Sequence, residues 1–122
     1  MLKKILRSLL NRRKDSRRVV LQVPVKAADP QGNTHEVVSE DVSDRGIRLR
    51  CEGVRLGTLV GHREELPLEI CLQNETPPVV AQAKLVWVYD TAEGGSVSGW
   101  RFVHFHGNAR RRLRNFLDRY EA

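Results

Sequence analysis

Apolar and polar positions along this chain fall into short runs, several of them alternating, divided by turn-forming residues. Gly46-Ile47-Arg48-Leu49-Arg50-Cys51 alternates strictly, the period of a strand with one buried face. Val19 to Lys26 is β-branched and apolar, which predicts a strand. Pro24 within it argues for an edge position or a bulge, because proline has no N–H to give to a ladder. Asp29 to Asn33 reads as a turn and Thr34 to Val42 as the return strand. Further strands are predicted at Thr58–Gly61, Leu66–Leu72, Val79–Tyr89 and Ser98–His106. Glu52-Gly53, Thr76-Pro77-Pro78 and Glu93-Gly94-Gly95 supply turns between several of them.

Helical periodicity is confined to the two ends. Leu2, Ile5, Leu6, Leu9 and Leu10 share one face of a short amphipathic helix. Leu113, Phe116, Leu117 and Tyr120 recur at i, i+3, i+4 and i+7, and Asn108 is placed to cap a helix over 108–121. Evenly spaced short strands predict an all-β-dominated fold, a small antiparallel β-barrel of six or seven strands. It carries a C-terminal α-helix and a short N-terminal amphipathic helix. The organisation expected is an extension over 1–11 and a single domain over 12–122, because 122 residues support one core and not two.

Charge changes this picture more than composition does. An apolar fraction of 40% with 30% charged residues is that of a globular chain. The net charge of +6 divides unevenly: +7 over residues 1–18, +3 over 108–122 and −4 between them, which sum to +6. The two ends therefore carry the positive field, and such a field steers anions. Cys51 and Cys71 have no C-x-x-C spacing and read as ordinary strand residues of a protein in a reducing cytoplasm. No apolar run reaches membrane-spanning length, and Arg7 interrupts the N-terminal apolar stretch, which argues against a signal peptide.

Two polar clusters carry the candidate chemistry. Arg13 and Arg17, four apart in a basic run, present planar forks that match phosphate oxygens or the O6 and N7 acceptors of guanine. Downstream lies Asp41-Val42-Ser43-Asp44-Arg45-Gly46. Asp41 can accept from guanine N1–H and its exocyclic amine, Ser43 adds a hydroxyl, and Gly46 allows positive φ or a close approach of backbone. This set of groups suits a guanine nucleotide.

Arg-x-x-x-Arg followed by Asp-x-Ser-x-x-Gly resembles the PilZ domain, the bacterial receptor module for cyclic diguanylate (cyclic di-GMP). Leu85-Val86-Trp87-Val88, a Gly-rich turn, Gly99-Trp100-Arg101-Phe102-Val103 and the final helix extend the resemblance over roughly residues 12 to 120. It implies the same barrel and helix, with Arg13 and Arg17 on the bases and phosphates of cyclic di-GMP and with Asp41, Ser43 and Gly46 opposite them. Arg12 adds a further guanidinium, suited to an intercalated cyclic di-GMP dimer. The resemblance also implies a protein partner in motility, biofilm or virulence control, and no cofactor beyond the ligand itself.

Other groups weigh less. His104 and His106 would point the same way in a strand, with His62, Glu64 and Glu65 as conceivable further ligands, but no metal-site spacing fixes them. Trp87 and Trp100 are expected in the core or under the C-terminal helix. No Ser-His-Asp, Cys-His, paired-carboxylate or phosphate-loop constellation is evident, so the chain is not read as an enzyme. A nucleic-acid-binding barrel is the alternative from another class, disfavoured by the acidic middle; a docking adaptor that binds no nucleotide is a third.

Overall fold

The computed structural model describes residues 18–28, 31–53 and 65–121. The predicted N-terminal helix, the segment bearing Arg12, Arg13 and Arg17, and the predicted strand at 58–61 lie outside the described residues.

Among the described residues seven strands and one helix follow in chain order: β1 (Val19–Val20), β2 (Pro24–Ala28), β3 (Thr34–Val42), β4 (Gly46–Cys51), β5 (Glu65–Ile70), β6 (Val79–Asp90), β7 (Ser96–Phe105) and α1 (Ala109–Glu121). The sheet runs β1-β3-β2-β5-β6-β7-β4, and a further pairing of β3 with β4 closes it. Six antiparallel strands thus form the barrel and β1 adds to it along the end of β3. Closure pairs each barrel strand on both sides over most of its length, except the last residues of β6 beyond Lys84.

The run predicted as one strand at Val19–Lys26 divides in two. The cause is Ser39, a fully buried residue of β3. Its hydroxyl accepts from Val23 N at 3.0 Å and donates to the Leu21 carbonyl, replacing ladder bonds with side-chain ones. The β3–β4 register shifts between Ser39 and Asp41 at the same place. Pro24 is not at an edge: β2 lies between β3 and β5, and Pro24 is its first residue. It follows a bulge, as the alternative expectation had it: Leu21 to Val23 oppose only Ser39 and Glu40, and the Pro24 carbonyl accepts from Cys71 N at 3.0 Å.

Alternating side chains fill the barrel. Val25, Ile47, Leu49, Leu66, Leu68, Ile70 and Val79 are essentially inaccessible to solvent. The strict alternation of β4 sends Ile47, Leu49 and Cys51 inward and leaves Arg48 and Arg50 outside. From α1, Ala109, Leu113, Phe116 and Leu117 join the same cluster. Tyr120 departs from the expected face: it is exposed and stacks on Phe116 at 6.0 Å. Trp100 is a core residue, as expected, with its indole N–H donating to Ser98 Oγ at 2.8 Å. Trp87 is not.

Candidate functional site

The turn between β3 and β4 is built by Ser43. Its Oγ accepts from Arg45 N and Gly46 N, both at 3.1 Å, while its own N–H donates to the Gly46 carbonyl at 2.9 Å. A hydroxyl that mimics a backbone acceptor in this way fixes a tight turn. Ser43 is 1% exposed. Gly46 has no positive φ. It is needed for closeness instead: a Cβ there would lie 2.4 Å from the Trp100 carbonyl oxygen on β7. Ser43 and Gly46 therefore both have structural work in the protein without any ligand.

Asp44, a free position of the motif, also has a structural role. Its carboxylate is buried, and Oδ2 accepts from Arg114 Nε of α1 at 3.0 Å, tying the turn to a helix seventy residues away. Oδ1 is buried without a hydrogen-bond partner. No local sequence pattern signals this pair.

Asp41 faces outward, its side chain 12% exposed, between two guanidiniums. Arg18 donates to Oδ1 at 2.7 Å, and Arg48 Nε stands 3.3 Å from Oδ2. The second contact is ionic rather than hydrogen-bonded, because Arg48 Nε is buried and makes no hydrogen bond. The backbone register continues the line across the barrel. Val20 pairs with Asp41, Asp41 with Arg48, Arg48 with Gly99, and Gly99 with Trp87.

Trp87 ends this row. Its indole lies flat on β7 because position 99 carries no side chain; a Cβ at Gly99 would meet Trp87 Cε2 and Nε1 at 2.4 Å. Tyr89 stacks against it at 5.5 Å and 11°, and the Arg48 guanidinium sits 5.6 Å from the indole centroid. Trp87 keeps 37% of its surface exposed. The expectation that it packs in the core is corrected for a definite reason. Over its last residues, β6 runs past the end of β5, whose first residue Glu65 pairs with Lys84, and Val86 to Asp90 are all exposed.

The structure thus brings Asp41, Arg18, Arg48, Gly99 and Trp87 into one row, with Ser43 and Gly46 shaping the turn at its side. Arg48 and Trp87 escaped the sequence reading. The alternation that marks Arg48 as outward is shared by every half-exposed strand residue.

The remaining candidates stand elsewhere. His104 and His106 approach to 6.0 Å between ring centroids. Among the described residues no group of three His, Cys, Asp or Glu comes together to hold a metal. Cys51 and Cys71 are free thiols. Burial pushes the Cys51 thiol up, against a smaller opposing effect from a hydrogen bond with Ser96. Cys71 is half-buried. Timed alkylation with iodoacetamide should label Cys71 well before Cys51, because the thiolate is the nucleophile; peptide mapping by mass spectrometry reads the order. No helix among the described residues is long and apolar enough to cross a membrane.

Comparison with known proteins adds a family. The model of the PilZ domain matches residues 11–119. No curated protein matches the chain in sequence. Solved structures do resemble it in fold. The Bacillus subtilis inhibitor of motility MotI/DgrA is 15% identical, with a TM-score of 0.68 over 85% of this chain and 49% of its own. The MrkH–c-di-GMP complex of K. pneumonia is 17% identical, with a TM-score of 0.64 over 84% and 49%. The PilZ domain of CeSA from a cellulose-synthesizing bacterium is 16% identical, with a TM-score of 0.55 over 84% and 99%. The chain spans about half the length of the MotI and MrkH chains and nearly all of the CeSA domain. With the family model covering most of its length and the barrel and turn in place, this chain belongs to the PilZ domain family.

Proposed function

We propose that the chain is a cyclic di-GMP receptor and adaptor, acting in the cytoplasm on a protein partner rather than catalysing a reaction. The observation that carries this is the row from Asp41 through Arg48 and Gly99 to Trp87. It offers a carboxylate for guanine's N–H edge, a partly exposed guanidinium, and an aromatic face on which a base can stack. Arg18 is half-exposed and yields Asp41 Oδ1 to the base, taking a phosphate oxygen instead. Arg13 and Arg17 supply further guanidiniums to the bases and phosphates, Ser43 and Gly46 border the site, and Arg12 favours a stacked ligand dimer. MrkH, similar in fold, is known as a complex with this ligand.

Bridging the arm to the barrel through a dinucleotide changes how the N-terminal segment is presented, and the partner reads that change. Motility is one output consistent with the likeness to MotI, an inhibitor of motility.

Calorimetric titration with cyclic di-GMP, with GMP and GTP as controls, tests the proposal. Saturable binding selective for the cyclic dinucleotide is expected, and two nucleotides per chain if Arg12 acts as proposed. No binding by folded protein would leave the docking adaptor in its place. Arg13→Ala and Arg17→Ala should each weaken binding about tenfold, through the loss of charge-assisted hydrogen bonds of about 1.5 kcal/mol or more. Unchanged affinity in both variants would sink that assignment.

A further inference from the structure

Ten arginines fall among the described residues. Six have partners: Arg18 and Arg48 on Asp41, Arg50 on Glu40, Arg112 on the Pro77 carbonyl, Arg114 on Asp44 and Arg119 on Glu75. The other four, Arg45, Arg101, Arg110 and Arg111, are exposed and engage no carboxylate or carbonyl among the described residues. They are gathered in one place. Arg45, Arg101 and Arg110 line a depression of about 580 Å³, and Arg110 and Arg111 line an adjoining one of about 590 Å³. The two share Asp44, Gly107 and Arg110.

Three separate elements build this face. Arg45 leaves the Ser43 turn just before β4, and Gly46 pairs with Arg101 on β7. Arg110 and Arg111 stand in the first turn of α1, which holds no acidic residue. A helix start of this kind adds its own positive potential to theirs. Two carboxylates are present: Asp44, already held by Arg114, and Asp118, which lines the second depression. Glu52 and Glu93 stand at the far ends of β4 and β7, around a separate depression with Arg50. Glu52 and Glu93 are thus kept apart from these arginines, while Glu65 stands in the row of Arg101 with Lys84 between them.

From this placement we infer that the face formed by Arg45, Arg101, Arg110 and Arg111 binds the phosphate backbone of double-stranded nucleic acid, without reading its sequence. Guanidinium forks match phosphate oxygens, and such contacts position a protein on a duplex while carrying no base information. The face is poor in anchors for a protein partner. Phe102 is buried, Phe105 half-buried, and Val103 is its one exposed large apolar side chain among the described residues. Protein interfaces centre on desolvated aromatic or apolar anchors, and single strands are held by free aromatic platforms. The one exposed ring lining these depressions is the imidazole of His104; the larger platforms, Trp87 and Tyr89, belong to the Asp41 row. The inference does not depend on cyclic di-GMP binding.

The test uses the full chain and a fluorescein-labelled mixed-sequence duplex of about 20 base pairs, with anisotropy read between about 50 and 200 mM salt. Each phosphate neutralised adds about 0.9 to the slope of log affinity against log salt, so four contacts alone weaken binding about a hundredfold across that range. The variant Arg101→Gln/Arg110→Gln/Arg111→Gln should have a slope shallower by about 2.7. Its calorimetric titration with cyclic di-GMP and its thermal unfolding should match the wild type, which reports an intact fold. Three results would overturn the inference: no duplex binding at the lowest salt, a slope moved by less than about 1 in the triple variant, or a slope carried wholly by Arg12, Arg13 and Arg17. Stronger binding to phosphatidylserine–phosphatidylcholine vesicles than to the duplex at equal salt would overturn it as well, in favour of a membrane surface.

Discussion

Asp41→Ala should weaken cyclic di-GMP binding about a hundredfold while leaving the barrel folded, the largest loss expected from any single change at the site. Two effects combine. The variant removes the one carboxylate in the row able to accept from both guanine N1–H and the exocyclic amine, hydrogen bonds to a charged group worth about 1.5–3 kcal/mol. It also releases Arg18 and Arg48, which Asp41 holds at 2.7 and 3.3 Å. Freed guanidiniums must then be ordered by the ligand at a cost in side-chain entropy. The fold is expected to survive because both arginines are more than 40% exposed and regain water when the carboxylate goes. Asp41→Asn separates the two effects. It keeps the shape and one acceptor but presents an amide donor to guanine's donor edge, so it should bind nearly as poorly as alanine if the base is read there. Calorimetry on both variants decides. An Asn variant close to wild type would show that Asp41 serves only to place its arginines.

Different parts of this arrangement were legible to different degrees from sequence, and the reasons are local. The strand ladder was legible because Gly46 to Cys51 alternates and one face is buried. The Asp41 turn was legible because Asp-x-Ser-x-x-Gly contains the residues such a turn needs, and the structure assigns Ser43 and Gly46 to that work. Trp87 was misplaced because Leu85 to Tyr89 is apolar at every position. With no alternation, the run gives no inside and outside, and only its pairing with Gly99 shows which face Trp87 takes. For Pro24 the bulge half of the expectation holds and the edge half does not: Leu21 to Val23 oppose only Ser39 and Glu40 just before it, while β2 itself lies inside the sheet. The Asp44–Arg114 tie and the gathering of four unpaired arginines depend on residues far apart in sequence. Charge totals by segment cannot anticipate them. The acidic middle was a sound reading of composition and a poor one of surface, because Glu40, Asp41, Asp44 and Glu75 are each taken up by an arginine.

Two glycines with the same apparent crowding should behave in opposite ways when replaced by alanine. At Gly46 the added Cβ would fall 2.4 Å from the Trp100 carbonyl oxygen, which belongs to the backbone of β7 and is fixed by the β4–β7 ladder. Relief requires the two strands to separate where Phe102 N donates to the Arg45 carbonyl at 2.8 Å. Gly46→Ala should therefore lose about 3 kcal/mol of stability, the upper end of what overpacking costs. At Gly99 the added Cβ would also fall 2.4 Å from its neighbour, but that neighbour is the indole of Trp87. The indole is partly exposed and lies on the outer face, so it can lift from β7 without disturbing the core. Gly99→Ala should keep its stability within about 1 kcal/mol. It should lose about tenfold in cyclic di-GMP affinity, since base–aromatic stacking is worth about 1–3 kcal/mol. Urea denaturation and calorimetry on the pair give four numbers. The stacking role of Trp87 fails if Gly99→Ala binds like wild type while Trp87 fluorescence reports that the indole has moved. If instead Gly99→Ala unfolds and Gly46→Ala does not, the indole is the fixed element and the β4–β7 contact the pliable one, which would reverse the assignment of the two glycines to site and scaffold.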